Sequence, residues 1–418
     1  MRQAQNAFLG FCVFRLLFPV SYFPFLRFPQ TSWHKRNKVP LVLSILLGAS
    51  GLVYCAVLFL FFLGLFRLKE GKSTAQPSVS VVVPAKDEEG NIGRCLSNLM
   101  RQTYPADRYE VVVVDDRSGD RTGEIVRSFE RRYGNVRLVR VEACPPGVSP
   151  KKNAVKRGIA ESRGEIVLST DADCTVSPGW IEGLMRVFEP DVGMVVGLTE
   201  YDLESVRHRF LQGLQALDFL AHSFCAAGAI GMGWAINANA NNLAYRRAAF
   251  EEVGGFRDVV QLVSGDDDLL LQRVNTQTHW QIRFAISEET FVHTRPVRTF
   301  KGFVHQRIRW ASKGLHYRPS LMCFLGSTFL FFLLLFLSVP FSLANGAFLS
   351  VPVLCLVAKA GFEFLVLAKG CSVFKRKGML RYFLPAEVVH LPYILGAAIG
   401  GHFFKFEWKG QRTGKTAS

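Results

Sequence analysis

Two long stretches without a charged side chain constrain this 418-residue chain more than any other feature. Residues 39–66 contain no Asp, Glu, Lys or Arg, and are bracketed by Lys35, Arg36 and Lys38 before and by Arg67, Lys69 and Lys72 after. As a helix rising about 1.5 Å per residue, such a run is long enough to cross a hydrocarbon core of about 30 Å. Residues 319–358 are equally free of charge and too long for one crossing. Pro340 and the turn signal Asn345-Gly346 interrupt them, which predicts spanning helices at 319–339 and 346–368. A further apolar stretch, 382–404, holds Pro385, Glu387, His390, Pro392 and several glycines, and reads as a re-entrant or transmembrane segment. Lys359 and Glu363 stand four residues apart and read as a self-paired couple near the interface. Residues 1–38 carry Phe8, Phe11, Phe14, Phe18, Tyr22 and Phe25 at helical spacing, broken by Arg15, Pro19, Pro24 and Arg27, and are expected to form an interfacial amphipathic segment.

The formal charge of +16 becomes informative once it is divided along the chain. Residues 1–72 carry nine Lys/Arg against one acid, residues 73–300 carry 26 against 30, and residues 301–418 carry 15 against three. The basic excess flanks the apolar stretches, which fits anionic lipid on a cytoplasmic face and argues against a nucleic-acid groove or partner. By the same rule the loop with Lys369, Lys375, Arg376, Lys377 and Arg381, and the basic tail 405–418, lie on the side of the large middle domain. The expectation is an integral protein of a bacterial inner (cytoplasmic) membrane with that domain in the cytosol. Nine cysteines without a C-x-x-C pair suggest neither a zinc site nor a disulfide framework.

Across residues 76–300 short β-branched runs alternate with amphipathic helices, the pattern of an α/β domain with a mostly parallel sheet. Strands are predicted at 79–83, 110–114, 136–141, 165–169 and 193–198. Helices are predicted at 92–101, 122–132, 152–161 and 178–188, the last with Ser177 as N-cap and Pro178 in its first turn. Ligands of such sheets bind at the carboxyl ends of the strands. Four clusters collect there: Pro84-Ala85-Lys86-Asp87-Glu88-Glu89, Asp115-Asp116-Arg117-Ser118, Asp171-Ala172-Asp173 and Gly265-Asp266-Asp267-Asp268. One such cluster is commonly a solvated loop or a helix cap, but four, each after an apolar run, are hard to explain that way.

These residues carry a resemblance. From Ser78 to Trp310, with Lys151-Lys152-Asn153-Ala154, Asn242-Leu243-Ala244-Tyr245-Arg246 and Gly254-Gly255-Phe256 between the acidic clusters, the chain resembles an inverting glycosyltransferase of family 2 with the GT-A fold. Its closing Q-x-x-R-W, Gln306 to Trp310 just before an apolar hairpin, is similar to that of the membrane-integrated branch containing cellulose, hyaluronan and ceramide glucosyl synthases. The resemblance implies a Rossmann-like domain between membrane helices and a nucleotide-sugar donor, UDP-linked. It implies Mg²⁺ or Mn²⁺ held by Asp173 with Asp171, since a hard cation on carboxylates neutralises a diphosphate. Asp115 and Asp116 would meet uracil and ribose, the loop from Pro84 and Ala85 to Glu88 would enclose the base, and Lys151 and Lys152 would lie near the phosphates. Two lysines at a helix start are more often solvated. Asp267 would be the base that takes the acceptor proton, beside Asp266, where the family usually has Glu. Arg309 would pair with the diphosphate charge, Trp310 would floor the acceptor site and Gln306 completes the motif. An interfacial helix whose Arg and Trp meet lipid headgroups explains the last residues equally simply. Asp218 falls where related enzymes often carry an acidic acceptor-side residue.

The leading expectation is transfer of a sugar to a lipid or lipid-linked acceptor. A processive polysaccharide synthase is the alternative, one that would need further spans from oligomers or a membrane partner. A non-catalytic nucleotide-sugar-binding component is the third.

Overall fold

The computed structural model describes residues 38–203, 209–257, 261–262, 265–313, 316–344, 349–403, 406–408 and 411–413. The interfacial segment expected at 1–38 lies outside them except for Lys38, as do the Asn345-Gly346 turn and most of the 405–418 tail. Helix α1 (Lys38–Leu65) takes up the first uncharged run. There follow β1 (Val79–Ala85), α2 (Ile92–Leu99), β2 (Tyr109–Asp115), α3 (Thr122–Arg132), β3 (Val136–Arg140), α4 (Pro150–Glu161) and β4 (Ile166–Ser169), the alternation the sequence predicts. The second half is less regular: β5 (Thr175–Val176), α5 (Trp180–Met185), β6 (Val192–Val196), β7 (Thr199–Tyr201), α6 (Arg209–Gly231), β8 (Leu243–Arg246), α7 (Arg247–Glu252), α8 (Asp268–Gln277), β9 (Gln281–Phe284), β10 (Val292–Thr294) and α9 (Phe300–Ala311). Helices α10 (Pro319–Ala344), α11 (Ser350–Val373) and α12 (Phe383–Phe403) and a hairpin of β11 (Phe406–Trp408) with β12 (Gln411–Thr413) close the chain.

The chain divides into two compact units, one holding residues 38–54 and Arg318–Leu356, the other Cys55–Tyr317 and the chain from Val357 onward. In the first, Tyr54 meets Phe331 and Phe332 at ring-centroid distances of 5.4 and 5.3 Å. In the second, a seven-stranded sheet runs β3-β2-β1-β4-β8-β6-β9. Its strands are parallel except β8, which lies antiparallel to both β4 and β6. Val81, Val82 and Val83 of β1 and Val111 to Val114 of β2 are fully buried, so successive residues face apolar cover on both sides of the sheet. That double cover is why these strands read as unbroken valine runs.

Two expectations need correction. Ser177 does not cap a helix at 178: α5 begins at Trp180, and the Ser177 hydroxyl instead donates to the Glu289 carbonyl at 2.6 Å. Pro340 does not end a helix, because α10 continues through it to Ala344. A proline inside an apolar span removes one amide donor without exposing it to water. The stretch 382–404 is a continuous helix from Phe383 to Phe403 despite Pro392, and residues 377–401 are the fourth segment long and apolar enough to cross a membrane.

The loop after α11 touches the sheet domain directly. Arg376 makes a two-pronged pair with Glu200 at 2.7 and 2.8 Å and a third contact with Glu288 at 3.0 Å. The basic loop and the sheet domain therefore share a side, as the charge distribution predicts.

The Lys359–Glu363 pair is part of something larger than a self-paired couple. The fully buried Lys359 ammonium lies 2.9 Å from Glu363, 2.8 Å from Glu387 and 3.0 Å from His390 Nδ1, so α11 and α12 are joined by a four-residue polar knot. Among the described residues, Glu363, Glu387 and His390 are the one trio close enough together to ligate a cation, and the Lys359 ammonium stands within bonding reach of all three. Removing one partner of a buried charge set leaves the others uncompensated, an effect of about 3–5 kcal/mol. Lys359→Met is expected to lower the thermal midpoint in detergent by more than the double variant Lys359→Met/Glu387→Gln does; scanning calorimetry of both proteins checks this.

Candidate active site

The first wall of the site is the pair of loops after β1 and β2. Asp87, at φ 52°, and Arg117, at φ 58°, turn these loops toward each other. Asp87 N donates to Ser118 Oγ at 3.0 Å, Gly119 N to Asp87 Oδ1 at 2.8 Å, Glu88 N to Thr122 Oγ1 at 2.8 Å and Glu89 N to Asp120 Oδ2 at 2.9 Å. Asp120 also accepts from Thr122 N at 3.0 Å, and so serves the start of α3. Asp115 and Asp116 are buried at the end of β2. Asp115 accepts from Ser118 N at 3.0 Å and lies 3.7 Å from Arg140, while Asp116 pairs with Arg117 Nε at 2.9 Å. Pro84 and Ala85 end β1, where the Ala85 carbonyl accepts from Asp116 N at 2.8 Å. Glu88 accepts from Asn91 Nδ2 at 2.8 Å. The expected base-enclosing residues are thus brought together in one braced cleft.

The second wall gathers acids from two distant segments onto one cation. Lys151 Nζ, in the first turn of α4, lies 2.9 Å from Asp171 and 3.5 Å from Asp266. Burial disfavours its charge, but Asp171 and Asp266 outweigh burial and hold its pKa above the usual lysine value. Lys152 does otherwise: it is buried, donates to the Leu262 carbonyl at 2.8 Å, and is pulled down to about 8 by burial. Lys151 is the one that bridges the acids. Asp173 is half-buried, its carbonyl accepting from Arg94 at 3.2 Å.

Asp171 and Asp173 offer hard oxygen donors. The thiols beneath them, Cys95 and Cys174, are buried and pushed up by burial, Cys95 to about 12. Two carboxylates completed by phosphate oxygens is the donor set expected of Mg²⁺ or Mn²⁺, so the residues present fit that cofactor.

Gly265, at φ 92°, turns the chain into the acidic triplet; a side chain there would also strike Leu269, 2.5 Å from its Cβ position. Asp267 is the N-cap of α8, its Oδ1 accepting from Asp268 N at 2.8 Å and its Oδ2 from Ala240 N at 3.3 Å. It remains partly accessible, whereas Asp268 is fully buried between Lys313 Nζ at 2.6 Å and Tyr317 Oη at 2.5 Å. Leu269, Leu270 and Leu271, which follow the triplet in α8, are buried. Burial works to raise the Asp267 pKa, but Lys313 at 3.4 Å and the amide of Asp268 together hold it below the ordinary carboxylate range. Burial pushes Asp268 up to about 6.

Helix α9 presents the Q-x-x-R-W residues in two directions. Arg309 is half-buried near the acids, its charge opposed by desolvation and supported by Asp266, Asp267 and Asp171. Trp310 stacks on Phe219 with centroids 5.8 Å apart, and Phe219 stacks on Tyr201 at 4.8 Å. The Gln306 side chain lies beside Tyr201. Asp218, on α6, pairs with Arg307 at 2.7 Å and lies 3.3 Å from Tyr393 Oη.

Sequence reasoning missed Lys313 and Tyr317. Both lie past the end of α9 at Ala311, so no helical spacing from the motif marks them. Lys313→Met leaves two buried carboxylates without their cation. Because a buried, unpaired carboxyl titrates at raised pH, protonation relieves part of that loss. The thermal midpoint of the variant should therefore fall further below wild type at pH 8 than at pH 5, and midpoints at the two pH values in one detergent check it.

The fold and the site together define a glycosyltransferase. The chain belongs to glycosyl transferase family 21, which matches it over residues 43–412, rather than showing the family 2 membership that its motifs resemble. It is similar to Probable glycosyltransferase YdaM of Bacillus subtilis, 31% identical over 56% of this chain and 54% of that one. It is also similar to glycosyltransferase AglE of Haloferax volcanii, 29% identical over 56% of this chain and 71% of that one. A third relative is the beta-monoglucosyldiacylglycerol synthase of Synechocystis, 28% identical over 59% of this chain and 49% of that one. The chain thus spans about half the length of the first and third of these relatives. The mannosyltransferase PcManGT of Pyrobaculum calidifontis, solved with GDP-Man and Mn²⁺, shares the fold with a TM-score of 0.51 at 22% identity, over 84% of this chain and 99% of that one.

Proposed function

We propose that this protein is a membrane-bound, inverting glycosyltransferase that moves a sugar from a UDP-sugar to a lipid or lipid-linked acceptor at the cytosolic face of a bacterial inner membrane. The observation that carries the reading is the convergence of Asp171, Asp266 and Asp267 with Lys151 and Arg309 at one edge of the sheet, beside the Trp310 aromatic stack. In this reading the nucleoside lies against the braced cleft of Pro84 to Glu88, Asp115 and Asp116. Asp173 and Asp171 would hold Mg²⁺ or Mn²⁺, which supplies positive charge against the diphosphate. Arg309 meets the charge that develops on the leaving group, and Lys151 holds the acidic loops in place around it. Asp267 takes the proton of the acceptor hydroxyl as that oxygen attacks the anomeric carbon from the face opposite the nucleotide. Its N-cap bonds and its contact with Lys313 fix the carboxylate in direction and keep it ionised.

A lipid acceptor is supported by the setting. The Q-x-x-R-W helix is followed directly by apolar spans, and the Arg376–Glu200 pair ties the sheet domain to the loop between two of them. One of the relatives is named for a glucosylated diacylglycerol.

Purified protein in phosphatidylcholine vesicles should release UDP from a UDP-sugar in a panel of nucleotide sugars with Mn²⁺, and label dioleoylglycerol, ceramide or another lipid of the panel. Asp267→Asn is expected to lower the transfer rate about 10²- to 10⁴-fold, the usual contribution of a positioned base. A large labelled polymer would favour a processive synthase instead, and saturable donor binding without turnover on any lipid would sink the transferase reading. Asp173→Ala should weaken Mn²⁺-dependent binding of UDP by about tenfold or more, read by calorimetry with and without chelator.

A further inference from the structure

In the polar knot between α11 and α12, one ring nitrogen has two partners that make opposite demands on it. His390 Nδ1 lies 3.0 Å from the Lys359 ammonium and 3.3 Å from Glu363 Oε2, with Glu387 Oε1 at 3.9 Å. An ammonium only donates and a carboxylate only accepts. Toward Lys359, therefore, Nδ1 must be bare, and toward Glu363 it must carry a hydrogen. Lys359 is fully buried, and its three N–H groups have Glu363 at 2.9 Å, Glu387 at 2.8 Å and Nδ1 as acceptors. The place a metal ion would take among Glu363, Glu387 and His390 is thus filled by the chain's own cation. Neither state of the ring satisfies every contact. With Nδ1 bare, two carboxylates stand against one ammonium and the Glu363–His390 bond is not made. With the ring protonated the charges balance, but two cations lie 3.0 Å apart. The His390 side chain is 25% exposed, so a proton from water can reach it.

The groups that face the ring come from three helices and act through a fourth. Lys359 and Glu363 stand on α11, and Cys225 of α6 lies in the field of Glu363. Glu387 and Tyr393 stand three residues before and after His390, on the same face of α12. Asp218 of α6 lies in the field of His390 and of His222, 3.3 Å from Tyr393 Oη and 2.7 Å from Arg307 of α9. We propose that Lys359, Glu363, Glu387 and His390 form a one-proton switch at the contact of α11 with α12, in which His390 Nδ1 exchanges the bond it accepts from Lys359 for one it donates to Glu363. The proton comes from water onto the Nδ1 lone pair, and no covalent bond to carbon changes. In the protonated state the imidazolium repels Lys359 and draws on the Asp218 carboxylate, which Arg307 then shares. His390 is in this sense a positioning residue, acting on the transfer site through Asp218, and that link rests on the lipid-transfer reading.

Solid-state ¹⁵N spectra of histidine-labelled, full-length protein in phosphatidylcholine vesicles read the ring directly, the His390 signals being those missing from His390→Gln. Between about pH 5 and pH 8 the ring should exchange one proton. The neutral ring should carry its hydrogen on Nε2 and leave Nδ1 bare. In Lys359→Met the hydrogen of the neutral ring should move to Nδ1, because Glu363 then meets no competing ammonium there. Lys359→Met/Glu387→Gln decides the same point if the single variant does not fold. A neutral wild-type ring with its hydrogen on Nδ1, a ring that exchanges no proton over that range, or a tautomer indifferent to the loss of Lys359 would each overturn the switch. In the same vesicles, transfer from UDP-glucose with Mn²⁺ to dioleoylglycerol should fall about two- to tenfold on the acid side of the His390 step, the worth of about one hydrogen bond. His390→Gln should remove that step and His222→Gln should keep it. The base does not supply it, since Asp267 is held below the ordinary carboxylate range. A step in the spectra with none in the rate would overturn the link through Asp218. A wild type that labels no dioleoylglycerol would count against the transfer reading, and the spectra alone would then judge the switch.

Discussion

Carboxylates crowd one edge of the sheet, and the rest of the site depends on how their mutual repulsion is relieved. Asp171, Asp266, Asp267 and Asp268 reach that edge from segments nearly a hundred residues apart. Lys151 lies between Asp171 and Asp266, Lys313 between Asp267 and Asp268, and Arg309 in the field of three of the four. Lys313 is buried and Lys151 and Arg309 are half-buried, so each interaction is less screened than a surface pair would be. The arrangement sorts the acids by task. Asp268 is tied up with Lys313 and Tyr317 in the interior, while Asp267 keeps a partly accessible oxygen and a carboxyl held ionised.

The same constraint governs the apolar helices. An ammonium in a hydrocarbon-rich setting persists only where carboxylates meet it, and Lys359 has two carboxylates and an imidazole within 3.0 Å. The helix that supplies Glu387 and His390 also supplies Tyr393, which reaches Asp218 on α6. Helix α12 is therefore fixed on one side by the polar knot with α11 and on the other by the pair that holds Arg307. Close backbone contact plays a similar part where α1 meets α6. A Cβ on Gly64 would lie 1.8 Å from the Gly228 carbonyl oxygen, so glycine is required for the approach.

Two further placements follow from competition for hydrogen bonds. Asp120 serves the start of α3 by accepting from Thr122 N. Lys152 was open to a phosphate-binding reading, and it instead holds the Leu262 carbonyl close to the acidic triplet. Its neighbour Lys151, one residue away and on another face of α4, carries the charge into the site.

Much of this was legible in the linear chain. Valine runs, uncharged stretches of 28 and 40 residues and acids placed after strands determined an α/β domain between membrane helices, with its chemistry at the strand ends. Those features are local: periodicity, charge and composition act over a few turns or strands. Only the tertiary structure decided that β8 runs against its neighbours, that Pro340 and Pro392 stay inside helices, that Lys151 rather than Lys152 bridges the acids, and that Lys313, Tyr317, Arg307 and Asp218 belong beside the motif residues. Each of these depends on which face of a helix meets which segment dozens to well over a hundred residues away. Sheet register and helix packing set that relation, and no local pattern of residue types encodes it.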